Sequence, residues 1–482
     1  MLKELKVESN ITYTENGALS NRSSYDDCLD LFAVSGALRN ADPKRIEKLL
    51  LRAYCSNPDI ALRIVFYTRD VRGGLGERKI FRHMLRFLSK QFPESIIKNI
   101  QNIPEYGRFD DLMALFDTPC ESKMISFINQ QLNQDLLCMQ GEKNVSLLAK
   151  WLPSVNATNI ENKLCAKRLA RALKMNEKDY RKKLSKLKAY IDILETRLCN
   201  KDYTFDYAKQ PSNAMFKYRR AFFRNDTDRY IEYMNMVSQG KTKLNTGTLF
   251  PYEIIRSALT TNDRLQKHVM DTTWNALPNY CDGRNALAVI DGSGSMYGYD
   301  ALPILIAVSL GIYFAEHNTG HFKNHFITFS DSPRLVEIKG NNISEKSKYC
   351  MSYNEVANTD LYNTFATILS AAVRNKLPQE ELPEILYIIS DMEFDVGVNE
   401  DKTVFQDAKE MYESYGYTLP KIVYWNVCSH SEQLPVTKDE NGTVLLSGAS
   451  PKLFEMAISG DLNPYKFMLD VVNSDRYKDI CA

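Results

Sequence analysis

The chain has few of the features that staple, export or anchor a protein. Its ten cysteines (28, 55, 120, 138, 165, 199, 281, 350, 428 and 481) are scattered, and none forms a CxxC pair. That spacing excludes a zinc ribbon and argues against a disulfide framework; the residues read as reduced, mostly buried thiols in a reducing compartment. The N-terminus, MLKELKVESN, has no apolar core segment, so no signal peptide is expected. No run of roughly eighteen apolar residues is present either, so no membrane span is expected. A soluble, cytoplasmic protein follows from these absences. Histidine is scarce, at six residues, and only His317, His321 and His325 fall close together. Gly320 should end a helix after His317 and His325 should open a strand, so structural roles fit them better than a metal cluster. No Ser/His/Asp or Cys/His constellation declares itself, which speaks against a hydrolase and for a non-enzymatic binding protein. Excess charge is missing as well. With 61 basic and 60 acidic side chains the formal charge is +1, and only its distribution along the chain is informative.

What is present divides in two. At 482 residues, 44% of them hydrophobic, the chain should hold two or three domains. Residues 1–25 are polar and rich in Asn, Ser and Thr, and read as a flexible arm. From residue 26 to about 280 the apolar residues recur at threes and fours. Leu29, Leu31, Phe32 and Leu38 open this pattern; Ile46, Leu49, Leu50, Ala53 and Tyr54 continue it, then Ala61, Leu62, Ile64, Val65 and Tyr67. Pro43, Pro58, Pro93 and Pro104 punctuate short helices, as in an α-solenoid of HEAT-like repeats.

Two stretches of this helical part are candidates for phosphate contact. In ALRIVFYTRDVRGGLGERKIFRHMLRFL, Arg69, Arg72 and Arg78 crowd a glycine-broken corner. GGLGERK lacks both the GK[ST] ending and the preceding strand of a P-loop. A helix N-terminus flanked by arginines can hold a phosphate; equally, the arginines can pair with Asp70 and Glu77. The second stretch, 167–188, sets ten basic residues against Glu177 and Asp179. Leu169, Leu173, Tyr180, Leu184 and Leu187 keep an apolar stripe between them, so Lys167, Arg168, Arg171, Lys182 and Lys183 belong to cationic outer faces. MFKYRRAFFR follows, with Lys217, Tyr218, Arg219, Arg220 and Phe222. An ordinary solvated face is the bland reading. Basic residues interleaved with aromatics are what backbone-plus-stacking contact with RNA requires, and ten against two exceeds what solubility needs. In the opposite sense, residues 380–413 carry eleven acids against Lys402 and Lys409, mostly a solvated surface.

After about residue 283 the pattern becomes alternating strands and helices. Strands are expected at 286–290, 325–329, 335–338, 385–389, 422–427 and 444–446, with helices near 301–317, 362–374, 404–415, 451–458 and 464–472. Such alternation implies a mostly parallel sheet covered on both faces, with ligands at the carboxyl ends of its strands. LAVIDGSGSM is the clearest case. Its unbroken apolar run ends in Asp291, and Ser293 and Ser295 follow at alternate positions, with glycines between that let the backbone bend. One carboxylate and two hydroxyls can converge on a hard cation, Mg2+ first and Mn2+ or Ca2+ next; a capping turn is the simpler alternative. Two further loops fall at strand ends, Asn358-Thr359-Asp360 and Ser390-Asp391.

DxSxS, the threonine loop and the later aspartate together resemble the metal-ion-dependent adhesion site (MIDAS) of von Willebrand factor A domains. The resemblance implies Asp291, Ser293, Ser295, Thr359 and Asp391 as ligands, although SDM stands where many such domains have TDG. Over nearly the whole chain, FYTRDVRGGLGER, AKWLPSVNA, PSNAMFKYRRAF, LFPYEI, VIDGSGSM, VYWNV and SGASPKLF resemble a domain-of-unknown-function family. That family joins a TROVE-like helical region (here 26–280) to a von Willebrand A domain of doubly wound, Rossmann-like α/β fold (here 284–482). Ro proteins share this architecture and bind structured or misfolded small RNAs, which implies RNA as the partner. The alternative is a protein-interaction scaffold, with no RNA, whose metal grips an acidic side chain of a protein partner.

Overall fold

A computed structural model describes residues 1–281, 284–330, 332–353, 359–399, 401–458 and 462–482; Gly283 and Asn358 lie outside them. The chain divides into two compact units. One comprises Met1–Ile64, Gly73–Leu75 and Thr246–Arg476; the other comprises Val65–Arg72, Gly76–Asn245 and Tyr477–Ala482.

The first unit is built on a six-stranded sheet. Its strands are β3 (Ala286–Asp291), β4 (His325–Phe329), β5 (Leu335–Glu337), β6 (Ile385–Ser390), β7 (Lys421–Asn426) and β8 (Thr443–Ser447). A hairpin of β1 (Ile11–Tyr13) and β2 (Leu19–Asn21) precedes them in the chain. The sheet order is β5-β4-β3-β6-β7-β8, parallel throughout except for the β4–β5 edge pair. The order and the parallel pairing make this a Rossmann-like, doubly wound sheet. As the apolar runs require, every residue of β3 and β6 is buried. Ala286 stands opposite Ile385 and Ile290 opposite Ile389, so Asp291 and Ser390 end adjacent strands together. From β3 the order runs outward in both directions, and that switch point is where such sheets open a ligand crevice.

Helix Gly298–His317 lies against this core, buried from Pro303 to Ala315. Among the described residues one helical stretch, Gly294–His317, has the length and composition to cross a membrane; 72% of its apolar window lies inside the protein. The helix opens earlier than the sequence pattern suggests, because Tyr299, Asp300 and Ala301 form a left-handed turn joined to it (φ 53°, 58° and 56°).

Two expectations for the N-terminal part need correction. The polar residues before 26 do not form a loose arm. Helix Leu2–Asn10 leads into the β1–β2 hairpin, and its polar side chains bond to distant loops. Ser20 donates to Gln433 Oε1 and the Leu434 carbonyl, at 2.6 and 2.8 Å, and Thr14 donates to the Phe394 carbonyl at 2.6 Å. Nor do residues 26–280 make one helical body, since the first sixty-four and those from Thr246 onward belong with the sheet. Just past helix Asp27–Val34, Gly36 meets β8, where a Cβ would lie 2.5 Å from the Ser447 carbonyl atoms. Phe32 meets Phe467 edge-on at 6.1 Å. Trp274 Nε1 donates to Glu316 at 2.7 Å.

The second unit is helical. Helices Ile160–Ala172 and Glu177–Ile191 bury the predicted stripe of Leu169, Tyr180, Leu184 and Leu187. Helices Ser212–Asn225 and Thr227–Ser238 enclose an aromatic cluster of Phe205, Tyr207, Phe222, Tyr230 and Tyr233, with ring centroids 5.1 to 6.0 Å apart in its closest pairs.

Candidate metal centre and nucleic-acid interface

Three loops meet at the carboxyl ends of β3 and β6. Asp291, fully buried, closes β3; its Oδ1 accepts the Ser293 amide at 2.9 Å and its Oδ2 accepts the Ser390 hydroxyl at 2.6 Å. Ser293 and Ser295 place their hydroxyls 3.0 Å apart, Ser293 buried and Ser295 exposed. Thr359 is buried; its hydroxyl donates to the Glu393 carbonyl and accepts the Asn16 amide, each at 2.7 Å. Asp391 is buried too. Its Oδ1 accepts the Glu393 amide at 3.3 Å, and its Oδ2 has no hydrogen-bond partner among the described residues. The SDM turn is solved with a strained residue. Met392 takes φ 70°, the left-handed region that the glycine of TDG adopts freely, and that conformation costs a side-chain-bearing residue about 1–2 kcal/mol.

Two carboxylates at this depth cannot both ionise cheaply. Burial, then the charge of Asp391, pushes the Asp291 carboxyl up to about 7. Burial does the same in direction to Glu393, and it lifts the Cys428 thiol to about 12, Asp391 adding to the effect. A divalent cation would relieve this repulsion. Among the described residues no group of three or more His, Cys, Asp or Glu gathers to hold a metal, so hydroxyls would have to contribute to its shell. The buried Asp391 Oδ2, which accepts no hydrogen bond among the described residues, fits such an ion.

Around the crevice stand residues that sequence reading missed. Glu393 accepts the Ser431 hydroxyl at 2.5 Å and the Glu15 amide at 2.7 Å. His430 faces Asp391, with its Nε2 3.6 Å from Oδ2. The signal available was position, since His430 follows the run IVYWNV at a strand's carboxyl end. Asn16 carried none. Of the three clustered histidines, two bond to nearby backbone: His317 Nδ1 lies 2.8 Å from the Tyr313 carbonyl, and His325 Nδ1 2.7 Å from that of Lys323.

The residues proposed for RNA divide by exposure. Arg69 is buried against Asp111, its Nε 2.8 Å from Oδ2, and Arg82 reaches the other oxygen at 2.5 Å. It is a core ion pair, with Asp111 as the partner rather than Asp70 or Glu77. Phe222 is fully buried in the aromatic cluster and presents no face for a base. Lys167 pairs with Glu177 at 3.2 Å, and Arg168 is held by Asp117 and Glu121 at 2.7 and 2.8 Å with its guanidinium over Phe116. Tyr218 reaches Glu195 at 3.3 Å, and Arg219 lies over Phe216. Arg72, Arg78, Arg171, Lys182, Lys217 and Arg220 are exposed, and Lys183 is half-buried. On helix Glu177–Ile191, Lys178, Arg181, Lys182 and Lys186 form an exposed face opposite the buried stripe. Among the described residues none of these four lies within ion-pair distance of an acid.

Comparison with known proteins places the chain in a family. Residues 14–116 and 122–280 match the model of a domain of unknown function (DUF2828), and 285–472 match that of another (DUF7788). Uncharacterized protein L728 of Acanthamoeba polyphaga mimivirus is 28% identical over 507 residues, covering 96% of this chain and 87% of that one. The crystal structure of the Deinococcus radiodurans RO (RSR) protein aligns with a TM-score of 0.46 at 13% identity, over 94% of this chain and all of that one.

Proposed function

The chain belongs to the DUF2828 family, and we propose that it is a non-enzymatic RNA-binding protein that carries a divalent cation in its von Willebrand A unit. One observation carries the RNA reading: the row of exposed cations Lys178, Arg181, Lys182 and Lys186 on helix Glu177–Ile191, without an ion-pair partner among the described residues. Arg171, Lys217 and Arg220 add exposed positive charge in the same unit. Such a row suits phosphate oxygens spaced along a backbone and carries no base-edge readout. Arg69 and Phe222 are left out of the interface, being part of the core.

In the von Willebrand A unit, Ser293, Ser295, Asp291 and Asp391 would hold the cation, with Thr359 directly or through water. Mg2+ suits the oxygen donors, and Mn2+ or Ca2+ are the next candidates. The exposed Ser295 leaves one side of the site open, where a carboxylate or phosphate oxygen of a partner can complete the shell. The ten free thiols suit a reducing compartment such as the cytoplasm.

Fluorescence anisotropy with a single-stranded RNA, titrated against salt, tests the reading. Each phosphate contact should add roughly 0.7 to the negative log–log slope. Reversing Lys182 and Lys183 to glutamate should lower the slope by about one to two. Unchanged affinity in the double variant would remove this helix from the interface. No binding by the natural chain at low salt would leave a protein scaffold whose cation grips an acidic side chain.

A further inference from the structure

We propose that His430 is a nitrogen ligand of the cation site, so that the site prefers Mn2+ and its transition-metal neighbours to Mg2+ or Ca2+. This rests on the reading that the loops at β3 and β6 bind a divalent ion, and it changes which ion they select.

Two atoms carry it. Asp391 Oδ2 and His430 Nε2 are both buried, both lack a hydrogen-bond partner among the described residues, and lie 3.6 Å apart. Buried polar atoms are nearly always satisfied, so two orphans facing each other point to a missing third party. The separation exceeds a hydrogen bond. It is also shorter than twice the roughly 2.1 Å that a first-row divalent ion keeps from an imidazole nitrogen or a carboxylate oxygen, so one ion can reach both.

The surroundings hold the ring in place. Tyr299, projecting from the left-handed turn after the serine loop, stacks on His430 at 5.9 Å with an interplanar angle of 17°. Beneath the loop, Arg45 donates to the carbonyls of Ser429 and His430 at 2.9 and 3.1 Å, and to that of Ser431 as well. Gln433 Nε2 donates to the Met392 carbonyl at 2.7 Å, tying this loop to the one that bears Asp391. A guanidinium spent on three successive carbonyls fixes a backbone rather than binding a ligand. The histidine so fixed has 21% of its side chain exposed. Imidazole is a borderline donor that suits first-row transition ions such as Zn2+, whereas Mg2+ and Ca2+ take oxygen; Mn2+ shares their taste for oxygen but is the first of the transition series, and a nitrogen donor favours it over Mg2+ and Ca2+.

The test uses the full chain, stripped with chelator and loaded with Mn2+. Pulsed electron paramagnetic resonance reads the hyperfine coupling of a nitrogen bound directly to the ion. The natural chain should show it. His430→Gln should still bind Mn2+ but lose the coupling, its Mn2+ affinity falling about tenfold or more, with Mg2+ affinity within about twofold. Mn2+ bound without nitrogen coupling in the natural chain would overturn the role of His430 and leave the cation site standing. Coupling that survives in His430→Gln would also overturn it, assigning the nitrogen to another residue. No Mn2+ bound at all would refute the cation site itself. The spectrum of the natural chain decides the first of these even where the variant fails to fold.

Discussion

Removing divalent cations should make this protein less stable as pH rises through neutrality, and Asp291 sets the size of the effect. Its carboxyl titrates at about 7 in the fold, chiefly through burial and then through the charge of Asp391, against about 3.9 in an unfolded chain. A carboxyl whose folded value is raised binds more protons in the native state. Its contribution is therefore fully present below about pH 4 and is lost as pH rises through about 7. Between about pH 5.5 and 8 the loss amounts to about 2 kcal/mol. For a unit of this size, Met1–Ile64, Gly73–Leu75 and Thr246–Arg476, that lowers Tm by roughly 3 °C. Burial raises Glu393 and Asp30 in the same direction, so Asp291→Asn serves as the control and should remove its own share of the slope. Saturating divalent cation should flatten the dependence, because the ion takes over the role of the proton. Differential scanning fluorimetry at the two pH values, with chelator and with cation, reads all of this. Equal Tm at both pH values in chelator, or a full slope persisting in Asp291→Asn, would refute the reasoning.

Other consequences test the framework. Asp111→Ala should destabilise the helical unit by about 3–5 kcal/mol, since it strands Arg69, whose side chain is only 6% exposed; urea unfolding checks this, and a loss below about 1 kcal/mol would make the pair a surface bridge. Gly36→Ala should cost about 1–3 kcal/mol because its methyl would meet the β8 backbone at 2.5 Å, with thermal unfolding as the measurement. Lys182→Glu with Lys183→Glu should change the salt slope of RNA binding and leave the thermal midpoint of the helical unit nearly unchanged, because Lys182 is exposed and Lys183 half-buried.

The sheet was legible because buried parallel strands need uninterrupted apolar runs, and 286–290 and 385–389 are such runs ending in oxygen-bearing residues. That Asp291, Ser293, Ser295, Thr359 and Asp391 fall at one edge of the sheet could be read because each ends a strand, follows one or precedes a helix. Legibility failed where a polar residue's meaning depends on a partner far away in sequence. Arg69 looks like any exposed arginine until Asp111 is placed beside it. Ser20 and Asn16 look like loop residues until Gln433 and Thr359 accept their protons. Phe222 satisfied an aromatic pattern that a packed cluster and a stacking platform share. His430 lay at a strand end, but its chemistry appears only opposite Asp391.

The most direct measurement of the central claim is the nucleic-acid content of the protein purified from cells at low salt. The absorbance ratio at 260 and 280 nm should lie well above that of protein alone, and ribonuclease or high salt should bring it down together with a released RNA. A protein-only ratio at low salt, with no RNA binding on re-addition, would contradict it.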